Sequence, residues 1–204
     1  TWAAPYAVAC DGGRGFIRKT LGIDYEGDIK TKDAFWAGQF FSVHMRIPDL
    51  YPKFVGHRRA WMYWAVNPDP RTRGMIIALN GADEFMMLIK SSDGRTDVDT
   101  DEVVGWVQRT IGADIPVHVI GYVPWVAGHA LVAERYKAGR IMIAGDAAHL
   151  FTPTGGMGYN TAIEDAVNAG WKLAAVIKGQ APASLLDTYE AERRPVAIRN
   201  TGNA

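Results

Sequence analysis

Apolar and polar positions along the chain change their periodicity from segment to segment. A continuous apolar run at 141–144, ended by Gly145 and Asp146, is typical of a strand buried on both faces. A turn with several glycines follows, and Gly179 and Pro182 then mark the end of a helix. The apolar positions of that helix recur at helical spacing; they are Ile163, Val167, Trp171, Ala174 and Ile177. The pattern therefore predicts a buried strand, a tight turn and a long helix.

Shorter patterns of the same kind lie at both ends of the chain. Residues 5–10 predict a short buried strand, 11–13 a turn and 14–21 a short helix that stops at a glycine. Near the other end, residues 184–194 predict a helix, with Pro195 starting or kinking another. The two ends are therefore predicted to mix strands and helices.

The middle of the chain has the pattern of a β-sheet. Asp99 and Glu102 have the spacing of a capping box at the start of a helix predicted over 99–111. Asn80-Gly81 between two apolar runs predicts a hairpin, and 117–126 predicts a further strand. Four other stretches are rich in aromatic and β-branched residues and predict an antiparallel sheet; they are 34–47, 60–66, 74–79 and 84–89.

Composition narrows the class of protein. The chain has 204 residues and 48% hydrophobic residues, ample for a core, and its 22 acidic and 22 basic residues balance. That balance gives no argument for nucleic acid, an anionic membrane or a polybasic partner. A membrane span of about 20 apolar residues and a signal-peptide pattern are both missing, so we expect a cytoplasmic protein without a membrane partner.

Cysteine and histidine usage argues against two kinds of site. The single cysteine, Cys10, excludes an intramolecular disulfide, and we expect it to be a small core residue rather than a redox thiol. The five histidines are scattered and lack the spacing of a metal site. We therefore expect no metal.

The segment from the buried strand to the long helix has the chemistry of a cofactor site. Free N–H groups of the first helical turn carry partial positive charge, and the glycines let a ligand approach the backbone. Asp146 adds a fixed acceptor for a hydroxyl group. The alternative is an ordinary strand-to-helix connection, with Asp146 as a capping residue.

The letters of this segment carry a family resemblance. The segment contains GDAAH, then PTGGMGYN, then EDAVNAGWKL. This order resembles the second flavin fingerprint of FAD-dependent aromatic hydroxylases. These are the single-component flavoprotein monooxygenases related to para-hydroxybenzoate hydroxylase and phenol hydroxylase. The resemblance implies that Asp146 hydrogen-bonds the ribityl chain of FAD and that Pro153 lies near the reactive flavin carbon. It also implies that the glycine turn and helix start contact the pyrimidine edge of the flavin; these residues are Gly155, Gly156, Met157, Gly158, Tyr159 and Asn160.

The N-terminal segment YAVACDGGRGFIRKTLGI resembles the other internal fingerprint of the same family, an Asp-Gly turn followed by an arginine and a leucine. By this resemblance Asp11 and Arg18 support the FAD site. The alternatives are an ordinary turn residue for Asp11 and a solvated or ion-paired helix charge for Arg18. Gly15 departs from the pattern, since many relatives have a serine there.

The resemblance implies an α/β (α+β) fold, part of a FAD/NAD(P)-binding three-layer fold with an inserted antiparallel β-sheet substrate domain. We expect residues 1–30 to be part of the FAD-binding domain. Residues 31–130 would form the substrate-binding sheet with one covering helix, and 131–204 would return to the FAD-binding domain. A G-x-G-x-x-G dinucleotide turn does not open the chain, so we expect an internal portion of such an enzyme.

The implied reaction is hydroxylation of a phenolic or other aromatic substrate. NADPH or NADH would reduce FAD, O₂ would add to the flavin, and the flavin hydroperoxide would transfer oxygen to the ring. The residues assign no catalytic side chain beyond the proximity of Pro153 to the flavin. A small aromatic substrate and O₂ are the expected partners, and a homodimer is one option for the oligomeric state.

Two alternatives stay open. One is a catalytically inert fragment or substrate-binding module of such an enzyme, and the other is a halogenase or quinone-type flavin oxidoreductase of the same fold. Because strand positions alternate, at most about half of the aromatic and methionine side chains of the sheet are candidates for touching substrate, and we expect most of them to be core residues. These side chains are Trp36, Phe40, Phe41, Trp61, Tyr63, Trp64, Met75, Phe85, Met86 and Met87.

Overall fold

The chain forms two compact units, each with its own core. The computed structural model describes residues 3–28, 38–69, 72–91, 94–127, 129–152 and 156–202. The flanking unit takes the two outer parts of the sequence, Thr1–Ala37 and Gly128–Ala204, and the central unit takes Gly38–Ala127. The boundaries expected from the sequence for the central part are 31 and 130.

The central unit is an antiparallel sheet with one helix packed on it. Its strands lie in the order β4-β5-β6-β3-β7, and every neighbouring pair is antiparallel. Fully buried side chains such as Phe41 and Met87 pack with Val107 of the helix α2 on one face of the sheet. The elements are β3 (Gly38–Arg46), a π-helical turn (Leu50–Val55), β4 (Met62–Ala65), β5 (Gly74–Ala78), β6 (Glu84–Lys90), α2 (Thr100–Ile111) and β7 (His118–Ala127).

Two local signals in the central unit are confirmed with changes of detail. β5 and β6 form the predicted hairpin, but its loop is longer than two residues, and Asn80 Oδ1 accepts from the backbone N–H groups of 82–84 at 2.9–3.1 Å. Asp99 Oδ1 accepts from the Glu102 N–H at 2.8 Å, as at a helix N-cap. The Glu102 carboxylate pairs with Arg95, so it does not complete a reciprocal capping box.

The flanking unit combines a parallel strand pair with helices. β1 pairs parallel with β10, and β10 pairs antiparallel with β9. A second sheet has the order β11-β8-β2. The elements are β1 (Ala7–Ala9), α1 (Phe16–Thr20), β2 (Tyr25–Asp28), β8 (Ala130–Ala133), β9 (Lys137–Ala138), β10 (Ile141–Ile143), a 3₁₀ turn (Gly145–Ala147), β11 (His149–Leu150), α3 (Met157–Ile177), a 3₁₀ turn (Ala183–Leu186) and α4 (Asp187–Thr201).

The long helix α3 is confirmed, but its apolar stripe is exposed. Val167 and Trp171 are 64% and 53% exposed, and Ile163 and Ile177 are exposed as well. The buried side chains of α3 are instead Thr161, Asp165, Ala169 and Lys172. Periodicity thus predicts the helix correctly, while charged side chains occupy much of its inner face.

Two predictions about the ends of the chain are wrong. α4 runs continuously through Pro195, so no new helix starts there, and the helix lacks one backbone hydrogen bond because proline has no N–H to donate to the Ala191 carbonyl. Cys10 is exposed and is not a core residue, since it lies just beyond the buried end of β1.

None of the helices in the described residues combines the length and the apolar character that crossing a lipid bilayer requires.

Candidate functional site

The turn Gly145-Asp146 stands at the carboxyl end of β10. Gly145 has φ +60°, and a Cβ built on it would lie 3.3 Å from the Cβ of Ala162, in the second turn of α3. Glycine is therefore favoured both by the backbone conformation and by the close approach of the helix. Asp146 is exposed, and within the described part of the chain no donor reaches its carboxylate. Its oxygens are available to a ligand.

The first turn of α3 lies open as well. Gly156 precedes the helix with φ +64°, no side chain among the described residues caps the helix, and its first turn carries no acidic residue. Asn160 donates through Nδ2 to the Gly156 carbonyl at 2.8 Å, and among the described residues no side chain accepts from the backbone N–H groups of the first turn. Those groups carry partial positive charge and suit an anionic or electron-rich ligand.

The other residues predicted around this turn differ in exposure. Tyr159 is 76% exposed, and Met157 is half-buried. A Cβ on Gly158 would lie 3.6 Å from the Phe151 ring, an ordinary contact distance. Pro153 and Gly155 lie outside the described residues.

Asp11 caps the short helix α1. Its Oδ2 accepts from the Ile17 N–H at 2.8 Å. A Cβ built on Gly15 would lie 2.2 Å from Asp11 Oδ1 and 2.8 Å from the Gly12 carbonyl oxygen. In this chain the aspartate therefore occupies the space that a side chain at Gly15 would need.

Arg18 is buried, so the alternative of a solvated helix charge is wrong. Its Nη1 donates to the Ile23 carbonyl at 2.7 Å, and its Nη2 donates to the Gly13 carbonyl at 3.4 Å. The guanidinium lies 3.8 Å from the centroid of the Tyr25 ring, a cation–π distance. Burial raises the pKa of Tyr25, and the positive charge of Arg18 opposes that rise.

Tyr25 connects this segment to the Gly145-Asp146 turn. Its hydroxyl donates to the backbone carbonyl of Asp146 at 2.5 Å. Sequence reasoning missed this residue, because β2 has the weak strand signal YEGD and a lone tyrosine carries no motif.

A buried charge network, also missed, lies behind the same turn. Asp165 of α3 is fully buried; it accepts from the Gly145 N–H at 3.2 Å and from Arg193 Nε at 2.8 Å, and it pairs with His149 Nε2 at 2.8 Å. Arg193 also reaches Glu164 at 2.7 Å. Burial works to lower the pKa of Arg193, and the hydrogen bonds to both carboxylates outweigh it, so the pKa is raised and the charge stays fixed.

Two buried tyrosines complete the surroundings of the network. Burial raises the pKa of Tyr136 and of Tyr189, and the negative charge of Asp165 adds to the rise in both. Tyr189 donates to the Ile143 carbonyl at 2.8 Å. The Tyr136 hydroxyl is buried and has no hydrogen-bond partner among the described residues. Both phenols therefore stay neutral at physiological pH.

The central unit sorts its aromatic and methionine side chains by face. Phe41, Phe85 and Met87 are buried in the core with α2, and Tyr63 packs against that core. Because successive strand residues alternate, their neighbours in sequence lie on the opposite face, which we call the open face; these are Phe40, Trp64, Met75 and Met86. Trp61 is 68% exposed, and Trp36 lies outside the described residues.

The central unit also has an apolar cavity of about 320 Å³. The walls include Leu50, Phe54 and Ile111, and the polar wall residues include Asn67 and Thr110. The Asn67 amide donates to the Thr72 and Thr110 carbonyls, and the Thr110 hydroxyl donates to the Trp106 carbonyl at 2.9 Å, so both side chains already have partners. Within the described residues, histidine, cysteine and carboxylate side chains do not cluster as a metal site would require.

Comparison with known proteins identifies the family of the chain. The family described as FAD binding domain matches residues 1–204. The 12-dehydrotetracycline 5-monooxygenase/anhydrotetracycline 6-monooxygenase of Streptomyces rimosus subsp. rimosus is 36% identical over 204 residues, which is 96% of this chain and 39% of that protein. A putative polyketide hydroxylase of Streptomyces halstedii is 37% identical over 212 residues, covering 100% of this chain and 36% of that protein.

Solved structures are similar over nearly the whole chain. The rebeccamycin biosynthetic enzyme RebC with reduced flavin matches with TM-score 0.80 and 36% identity, over 98% of this chain and 35% of that one. Aklavinone-11 hydroxylase, in a ternary complex with FAD and aklavinone, matches with TM-score 0.83 and 28% identity, over 98% of this chain and 36% of that one. The chain thus spans between a third and two fifths of the length of these relatives. It belongs to the FAD-binding-domain family of the FAD-dependent aromatic hydroxylases.

Proposed function

We propose that the natural protein carrying this chain is an FAD-dependent monooxygenase that hydroxylates a phenolic or other aromatic substrate with NADPH or NADH and O₂. The family match and the named activities of the relatives support the reaction class. The single observation that carries the proposal is the Gly145-Asp146 turn packed on α3: within the described residues no donor reaches the exposed Asp146 carboxylate, and no side chain caps the N-terminus of the helix.

The described residues fit FAD on three counts. Asp146 offers unpaired acceptor oxygens, which a polyol chain requires. The first turn of α3 offers unpaired donors, which an electron-rich ring edge requires. A Cβ on Gly156 would meet no atom of the described residues within 4 Å.

When bound, FAD supplies the redox chemistry and the activation of O₂, and the protein supplies binding and electrostatics. Asp146 would accept a hydrogen bond from a ribityl hydroxyl. The backbone N–H groups at 158–160 and the dipole of α3 would stabilise negative charge at the edge of the ring system. By resemblance, Gly155, Gly156, Met157 and Tyr159 would line the same edge, with Pro153 near the reactive carbon.

Asp11 and Arg18 would support the site without touching the cofactor. One carboxylate oxygen of Asp11 accepts from the first turn of α1. The Arg18 guanidinium donates to two backbone carbonyls and lies over the Tyr25 ring. Their contribution is then to hold the segment 11–25 in shape. In the same scheme 1–30 and 131–204 contribute to flavin binding.

The open face of the central sheet supports an aromatic substrate, and 31–130 would be the substrate domain. Phe40 and Trp125 stack there edge to face with 5.5 Å between ring centroids, with Phe40 buried and Trp125 half-buried. The half-buried Met75 and Met86 lie on the same face, farther along the sheet. Aromatic and thioether side chains give flat, polarisable walls that suit a planar ring. A homodimer remains one option for the assembly.

The test of the flavin site is Asp146→Ala in the natural gene product. Losing a carboxylate acceptor should weaken FAD binding by roughly 10- to 100-fold, measured by titrating the apoprotein and following flavin fluorescence. Asp97→Ala, at an exposed aspartate of the central unit, is the matched control and should leave affinity unchanged. Equal affinity of Asp146→Ala and the wild type would contradict the assignment.

Activity separates the remaining alternatives. NADPH or NADH consumption with a panel of phenols, with product analysis, should give hydroxylated products. Halogenated products, or hydride transfer without oxygen insertion, would favour the halogenase or quinone-type alternative. The visible spectrum of the 204-residue chain tests the inert-module alternative, because bound oxidised flavin is yellow.

A further inference from the structure

One side chain joins two separate sheets of the flanking unit at the Gly145-Asp146 turn. Tyr25 belongs to β2, in the sheet β11-β8-β2, whereas the turn follows β10, in the sheet β1-β10-β9. The Tyr25 hydroxyl donates to the Asp146 carbonyl oxygen at 2.5 Å, across 121 residues of sequence. This bond is at the short end for O–H···O geometry.

Tyr25 is itself held in place from two directions. Its backbone pairs with Ala133 in the β2–β8 ladder, and the Arg18 guanidinium lies 3.8 Å from its ring centroid. Arg18 is fixed in turn by the Ile23 and Gly13 carbonyls. The phenol is therefore presented to the turn by a rigid support, and little side-chain freedom is lost when it donates.

The opposite side of the turn is held by α3. Asp165 accepts from the Gly145 N–H at 3.2 Å, and Arg193 and His149 fix that carboxylate. The peptide group before Gly145 and the peptide group after Asp146 are thus both anchored. Together they set the backbone torsions of the two residues between them, and those torsions set the direction of the Asp146 Cα–Cβ bond.

We propose that Tyr25 is a positioning residue of the flavin site, which aims the Asp146 carboxylate at the ribityl chain by fixing the Asp146 carbonyl. The inference rests on the proposed function. Tyr25 does not touch the ligand; its contribution is preorganisation, since a turn already in the binding conformation loses less entropy when FAD binds.

The substitution that isolates this effect is Tyr25→Phe in the natural gene product. It removes the hydroxyl and keeps the ring under Arg18. Loss of this one hydrogen bond should weaken the FAD affinity of the apoprotein roughly fivefold, measured by quenching of flavin fluorescence. Tyr136→Phe is the matched control, because its buried hydroxyl has no partner among the described residues. Its affinity should match the wild type.

A double-mutant cycle separates positioning from a general structural role. If Tyr25 acts through Asp146, Tyr25→Phe should weaken FAD binding in the wild type and have no further effect in Asp146→Ala. The same fold-loss in both backgrounds would overturn the inference, as would a Tyr25→Phe protein that binds FAD as the wild type does. A wild-type apoprotein without saturable FAD binding would overturn the proposed function, and the inference with it.

Discussion

At the residue scale, the segment around Asp11 shows how a glycine makes room for a neighbouring side chain. The Asp11 carboxylate fills the space beside Gly15 and accepts from the Ile17 N–H. The Gly15 N–H donates to the Gly12 carbonyl at 2.9 Å and closes the turn. Glycine here is thus part of the local packing.

We predict that Gly15→Ser lowers the free energy of unfolding by about 2 kcal/mol, because its Cβ must displace both the Asp11 side chain and the Gly12 carbonyl. Urea denaturation of the 204-residue chain measures the change. The control is Gly170→Ala in the exposed middle of α3, where an added Cβ meets nothing within 4 Å, and it should raise stability by about 0.5–1 kcal/mol. If Gly15→Ser left the free energy of unfolding unchanged, the turn would accommodate a side chain without strain, contrary to the prediction.

At the element scale, α3 reverses the usual arrangement of an amphipathic helix. Its inner face carries Asp165 and Lys172, which are paired with Arg193 and Glu192 at 2.8 Å, while Val167 and Trp171 lie outside. Buried charges are tolerated because each has a partner of opposite sign at hydrogen-bond distance.

This arrangement predicts opposite responses at two neighbouring positions of α3. In the 204-residue chain, Val167→Glu should change the free energy of unfolding by less than about 0.5 kcal/mol, since the side chain is exposed. Ala169→Glu should cost more than about 3 kcal/mol, because it places an unpaired carboxylate in the core. Chemical denaturation of both variants provides the measurement, and a large loss for Val167→Glu would contradict the exposure of that face.

The strand β2, which sequence patterns did not predict, depends on a partner strand far away in the sequence. β2 carries charged residues and Gly27, whose φ is +119° and whose added Cβ would meet the Ala130 carbonyl oxygen at 2.2 Å. The strand exists because Ala130–Ala133 provides a partner, which local propensity does not report. By contrast, Asp99 and Asn80 act on their own neighbours, so local sequence was sufficient to predict the α2 start and the β5–β6 hairpin.

At the scale of the whole molecule, the flanking and central units have separate cores. Phe85 of the central unit is fully buried and contacts Tyr51 at 5.2 Å between ring centroids. Tyr189 is the corresponding fully buried ring of the flanking unit, 6.0 Å from Tyr136. Separate cores allow separate local opening.

We predict that Phe85→Ala lowers the free energy of unfolding by about 3–5 kcal/mol, because the substitution leaves a cavity in the core of the central unit. The same variant should raise amide hydrogen exchange mainly within 38–127. Tyr189→Ala should raise exchange mainly in the flanking unit. Exchange followed by mass spectrometry of peptides resolves the two regions. An equal rise in both units from either substitution would show that they unfold as one cooperative body.

The sequence alone determined the fold class, the positions of most strands and helices, and the family, because periodicity, caps, turns and ordered motifs are local properties of the chain. The tertiary structure decided which faces are buried and what surrounds the Gly145-Asp146 turn. Tyr25 and Asp165 reach that turn from distant positions, and Arg193 holds Asp165. Such contacts depend on how strands and helices pack rather than on the neighbouring residues in the sequence.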